Sequence, residues 1–107
     1  MIALLVPGQG AQTPGMLMPW LDRPGAATML AEWSAAAGID LLALGTDADA
    51  DTIRDTAVAQ PLLTAAALLS LAAVEHVPDV VVGHSIGELA ALAAADVIDP
   101  TTAVRLA

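Results

Sequence analysis

The chain contains no cysteine, no lysine, no tyrosine and no phenylalanine. Without thiols it can form no disulfide and offers no thiolate to a metal, which fits a reducing cytoplasm as the expected setting. Its only cations besides two histidines are Arg23, Arg54 and Arg105, set against twelve acids for a net charge of −9. A surface that tracks phosphates needs clustered cations, so nucleic acid is not an expected partner. Long apolar runs are also scarce. The longest, Pro61 to Val74, is shorter than the ~20 residues of a bilayer span and is interrupted by Thr64 and Ser70. The apolar start, residues 1–6, lacks the basic residues that open a secretory leader. No membrane association is expected.

What is present is a 107-residue chain that is 57% hydrophobic, with alanine, leucine and valine carrying that content and Trp20 and Trp33 as its only aromatics. A core of small side chains buries less area per residue, and each Å² removed from water contributes only ~25 cal/mol. One small domain with a thin stability margin is the most such a chain can build alone.

Hydrophobic patterning orders the elements. Residues 2–6 read as a short buried strand stopped by Pro7-Gly8, and a glycine-rich loop runs to Gly15. Helical segments are expected over 16–21 and 24–37, the second closed by Gly38. Residues 39–46 fit more than one state, and 47–57 read as an acidic loop with a short helix. Its acids Asp47, Asp49, Asp51 and Asp55 read as a solvated loop; no metal site is expected there or elsewhere. Pro61 to Glu75 reads as a helix apolar nearly all round, with Pro61 in its first turn. Val80-Val81-Val82 is an unbroken β-branched run, the mark of a parallel strand covered on both faces. A helix over 88–95 follows, and Asp99-Pro100 opens another. Strand, helices, strand, tight turn and helix is the order of an α/β layer fold, yet two strands do not make a sheet that helices can sandwich. The pattern is that of a partial parallel sheet with flanking helices, part of a larger domain.

Gly83-His84-Ser85-Ile86-Gly87 matches G-x-S-x-G, a nucleophile elbow, and it lies where that motif must lie, between a strand and a helix. A serine lifted onto such a turn holds a strained backbone, and glycine at both flanks lets strand and helix approach. The turn also aims the first helical N–H groups at an oxyanion forming beside the serine. Ser85 is therefore the expected nucleophile. A base is harder to find. His76 stands before the strand, and five strand residues at ~3.3 Å each put it roughly 15 Å from Ser85. His84 is the adjacent residue, whose side chain leaves the turn in another direction. A serine without a base is a weak nucleophile, so the rest of the site is expected beyond residue 107 or on another chain. Gly8-Gln9-Gly10 lacks the spacing and the lysine of a phosphate-binding loop. At the carboxyl end of a parallel strand it would face the elbow, where one of its N–H groups could complete an oxyanion hole.

Taken together, Pro7-Gly8-Gln9-Gly10-Ala11-Gln12, Gln60-Pro61 and Gly83-His84-Ser85-Ile86-Gly87-Glu88 closely resemble the malonyl-CoA:acyl carrier protein transacylases and the acyltransferase domains of fatty acid and polyketide synthases. The resemblance continues through Val97-Ile98-Asp99 and Ala103-Val104-Arg105-Leu106. It implies an α/β-hydrolase-like fold, of which residues 1–107 are the N-terminal part of the large subdomain, without the small ferredoxin-like one. It implies that Ser85 takes malonate from malonyl-CoA as an ester and passes it to the phosphopantetheine thiol of acyl carrier protein. The backbone N–H groups of Gln9 and Ile86 would form the oxyanion hole, with no cofactor. Glu88 is read as a structural acid. Ile86 after the serine, with Asp55-Thr56-Ala57 upstream, looks like the malonyl rather than the methylmalonyl type. The family's general-base histidine and carboxylate-binding arginine have no counterpart in this chain, and Arg105 matches a different, helical arginine. This chain alone is expected to be inactive.

Two other readings stand beside this one. A serine hydrolase shares G-x-S-x-G, but lipases and esterases usually carry an HGGG-type oxyanion loop where this chain has Gly-Gln-Gly-Ala-Gln. A non-catalytic remnant or interaction module would use exposed apolar faces instead.

Overall fold

A computed structural model of the chain describes residues 3–74 and 78–107. Strand β1 (Ala3–Val6) pairs in parallel with β2 (Val80–Gly83), with Ala3 opposite Val80 and Val6 opposite Gly83. The described residues also form five α-helices: α1 (Ala26–Ala37), α2 (Leu41–Thr46), α3 (Thr56–Ala73), α4 (Gly87–Ala94) and α5 (Pro100–Leu106). Single 3-10 turns at Met18–Trp20 and Thr52–Arg54 fill two of the connections.

Local chemistry sets the helix limits. Gly38 ends α1 in the left-handed conformation and donates its N–H to the Ser34 carbonyl. Asp40, Asp55 and Asp99 precede α2, α3 and α5, and each side chain accepts a backbone N–H of the first turn. Capping by Asp55 starts α3 at Thr56, well before Pro61, so the proline sits inside the helix rather than in its first turn. The ambiguous residues after Ile39 are helical because Asp40 caps them. Of the acidic run, Asp49 accepts from the Thr52 amide and Asp51 pairs with Arg54 across exposed surface. No cluster of potential metal ligands occurs among the described residues.

The core forms where α3 passes beneath α1, α4 and α5. Leu62, Leu68 and Leu69 of α3 meet Leu30 and Trp33 of α1, Ala90 of α4 and Val104 of α5 in one buried cluster. The only helix among the described residues long and apolar enough to cross a membrane is α3, and here it is the core helix, with Ala59, Leu62 and Ala65 fully buried. Its one buried hydroxyl, Thr64 Oγ1, donates to the Gln60 carbonyl.

The two sheet faces differ. Leu4, Val6, Val81 and Gly83 turn toward α4, which packs across both strands. Ala3, Leu5, Val80 and Val82 share the other face, and all four are exposed, Leu5 to 73% and Val82 to 51%. The valine run therefore has cover on one face rather than two.

Candidate active site

The end of β1, the end of β2 and the start of α4 meet at one point, and three glycines permit it. A Cβ on Gly87 would lie 2.4 Å from the Val6 carbonyl oxygen, and one on Gly83 would lie 2.5 Å from the Gly87 oxygen. A Cβ on Gly8 would approach the His84 carbonyl oxygen to 2.7 Å and Ser85 Cβ to 3.4 Å. Contacts below 3.0 Å to backbone leave no room for a side chain. The first two distances are the physical content of the glycines that flank the motif, and the third brings the loop after β1 against the elbow. The His84 amide donates to the Val6 carbonyl at 3.0 Å, which extends the strand ladder into the turn itself.

Ser85 occupies the apex with φ of +56°, in the left-handed region that a residue with a side chain enters at a cost of about 1–2 kcal/mol. Its side chain is exposed, and Oγ has no hydrogen-bond partner among the described residues. The turn then becomes helix: Gly87 donates to the His84 carbonyl and Glu88 to the Ser85 carbonyl, both at 3.0 Å. Those bonds leave the Ile86 N–H unused. Among the described residues, no backbone or side-chain group accepts from the N–H of either Ile86 or Gln9. Two unused donors thus lie near the turn in sequence, the Ile86 N–H at the positive end of α4 and the Gln9 N–H on the loop that packs against Ser85 through Gly8.

The remaining functional candidates divide sharply. His84 is exposed, with Nδ1 beside Gly8, and it makes no hydrogen bond to Ser85. His76 lies outside the described residues. Glu88 sits in the first turn of α4, where its charge complements the helix N-terminus, with its backbone 2.6 Å from where a Gly83 Cβ would stand. Arg105 lies in the last turn of α5. An open groove of about 590 Å³ lies between β2 and α4, lined by Val81, Gly83, Leu92 and the acids Asp79, Glu88 and Asp96. Neither Ser85 nor Gln9 lines it. Asp79, Glu88 and Asp96 make this groove acidic. What sequence reading missed is the hold on the loop itself: the Gln9 side chain reaches across to Thr56 at the start of α3, and no local pattern signals a bond spanning 47 positions.

Comparison with known proteins decides the family. The acyl transferase domain family matches residues 4–107. The chain belongs to that family. Among its relatives, the malonyl CoA-acyl carrier protein transacylase of Mycobacterium tuberculosis is 58% identical over 113 residues, covering all of this chain and 37% of the relative. The crystal structure of the transacylase from that organism superposes with a TM-score of 0.89 at 56% identity, covering 99% of this chain and 37% of that one. A malonyl-transacylase solved in complex with a type II PKS acyl-carrier protein gives 0.88 at 35% identity, covering 98% and 36%. This acyl transferase chain therefore spans little more than a third of the length of the relatives it matches, and over that third the two-stranded parallel sheet and its helices follow theirs.

Proposed function

We propose that this chain is the nucleophile-bearing segment, the N-terminal part of the large α/β subdomain, of a cytoplasmic malonyl-CoA:acyl carrier protein transacylase. The observation that carries the reading is the exposed Ser85, held on a left-handed backbone at a strand-to-helix turn against the Gly8 loop, in a chain so similar to transacylases.

In this reading Ser85 Oγ attacks the thioester carbonyl of malonyl-CoA. The Gln9 and Ile86 N–H groups hold the oxyanion, the C–S bond breaks, and coenzyme A leaves as the thiol with the proton that the serine gives up. The carrier's phosphopantetheine thiol then attacks the malonyl ester and the serine regains its proton. Each half-reaction exchanges one acyl bond for another, so no redox partner enters and no cofactor is called for. Proton transfer does need a base. His84 is not placed to be one, so the base and the cation that receives the malonate carboxylate are assigned to the part of the protein outside residues 1–107. Ile86 after the serine supports malonate over methylmalonate.

The test is a steady-state transfer assay with the whole protein carrying this segment, varying malonyl-CoA and holo acyl carrier protein. Parallel double-reciprocal lines are expected, with transfer abolished by Ser85→Ala. Intersecting lines, or hydrolysis of malonyl-CoA without transfer, would instead favour direct transfer or a hydrolase.

A further inference from the structure

We infer that Thr56 is a positioning residue for acyl transfer: its hydroxyl clamps the Gln9 side chain and so holds the Gln9 N–H toward Ser85. This deepens the proposed function and rests on Ser85 being the acyl acceptor.

The loop after β1 is poorly secured by its own bonds. Within residues 8–12 the Ala11 amide reaches the Gly8 carbonyl at a long 3.4 Å, and the Gly10 amide donates to Gln12 Oε1 at 2.8 Å. Both stay inside the loop. Gly10, at φ of +113°, adds a pivot that only glycine adopts without strain. Hydrogen bonding ties residues 8–12 to the rest of the described chain only through the Gln9 carboxamide. Its Nε2 donates to Thr56 Oγ1 at 3.0 Å and, more weakly, to the Arg54 carbonyl at 3.5 Å. The Thr56 hydroxyl lies 3.4 Å from Gln9 Oε1, so both ends of the carboxamide sit against one side chain.

Thr56 is well suited to anchor a neighbour. It is the first residue of α3, the buried core helix, and Asp55 fixes its backbone by capping that helix. A rigid element thus holds the side chain of Gln9, and the preceding residue, Gly8, packs against the serine, with its Cβ position 3.4 Å from Ser85 Cβ. Oxyanion stabilisation depends on a donor already aimed when charge develops, because a donor that must first be ordered pays part of its gain in entropy. Loosening the clamp should therefore slow turnover while leaving ground-state binding of malonyl-CoA untouched.

The experiment compares Thr56→Val, which keeps shape and removes the hydroxyl, with Thr56→Ser, which keeps the hydroxyl, in the whole protein carrying this segment. One exposed hydrogen bond sets the scale. Thr56→Val should lower kcat roughly five- to tenfold with KM for malonyl-CoA unchanged, and Thr56→Ser should stay within about twofold of the unmutated protein. Gln9→Ala should match Thr56→Val, and combining the two should cost no more than either alone, since both break one clamp. A Thr56→Val protein with full kcat, equal losses in Thr56→Val and Thr56→Ser, or additive losses in the double variant would overturn the inference and leave the functional reading intact. Absence of malonate on Ser85 of the unmutated protein would overturn both.

Discussion

At the scale of single residues, the site is made by what is missing from three positions. Gly8, Gly83 and Gly87 bring two strand ends and a helix start so close that no Cβ fits, and Ser85 is pressed into a conformation it would not choose alone. The least obvious of the three is Gly8, which belongs to no serine motif. Gly8→Ala would place a methyl group 2.7 Å from the His84 carbonyl and 2.9 Å from its ring, so backbone on one side must move. The expected cost is about 1–3 kcal/mol of stability. A tenfold or greater loss of acyl transfer should accompany it, because the displaced loop carries a proposed oxyanion donor. Urea titration and the transfer assay measure the two effects. Sequence alone pointed to the turn at Ser85, which the structure holds at φ of +56°, because G-x-S-x-G states a steric requirement in adjacent positions. It pointed to Gly8 as part of a loop that ought to face the elbow, and singled out the Gln9 N–H only through the family resemblance, since their partners lie far along the chain.

At the scale of elements, helix starts carry much of the specification. Aspartate caps α2, α3 and α5, and two of these corrected the reading from hydrophobic pattern: α2 where the pattern was ambiguous, and α3 where Pro61 suggested a later start. Apolar periodicity marks which face of a helix is buried, whereas the first turn is fixed by side chain to backbone bonds that periodicity does not see. Asp99 shows the electrostatic side of this. The Thr102 N–H donates to its carboxylate at 2.8 Å and holds its pKa below the ordinary carboxylate value, with Arg105 adding a smaller pull the same way. Asp49 is lowered likewise by Thr52. A carboxylate whose pKa is depressed by folding stabilises the fold above its unfolded value, and that contribution is lost as pH falls through the folded one. Stability should therefore decline below about pH 4. Asp99→Asn, which keeps a capping oxygen without its titration, should flatten part of that decline, and Asp99→Ala should lower the urea midpoint at neutral pH as well. Midpoints measured from pH 2 to 7 check both. A steeper acid limb in Asp99→Asn would contradict the assignment.

At the scale of the molecule, the chain is compact and yet unfinished in one respect. Its radius of gyration, 12.6 Å, is near the ~13 Å of a 100-residue domain. A parallel sheet nevertheless needs cover on both faces and neighbours on its edges. Here Ala3, Leu5, Val80 and Val82 face outward, and among the described residues each strand pairs on one edge only. The expectation of a partial sheet came from counting two strands, and it agrees with a chain that spans about a third of its relatives. Which face lacks cover was not legible in Val80-Val81-Val82, because three valines in a row carry no alternation to distinguish the sides. The same division governs the chemistry. The proposed nucleophile and its proposed oxyanion donors all fall within these residues, whereas no described group hydrogen-bonds the Ser85 hydroxyl to take its proton.

Peptide mapping by mass spectrometry after brief exposure to malonyl-CoA, with no carrier protein added, tests that division most directly. The whole protein carrying this segment should show near-stoichiometric malonate as an ester on Ser85, and residues 1–107 alone should show none. Malonate on another residue of the whole protein, or a full adduct on residues 1–107 alone, would contradict it.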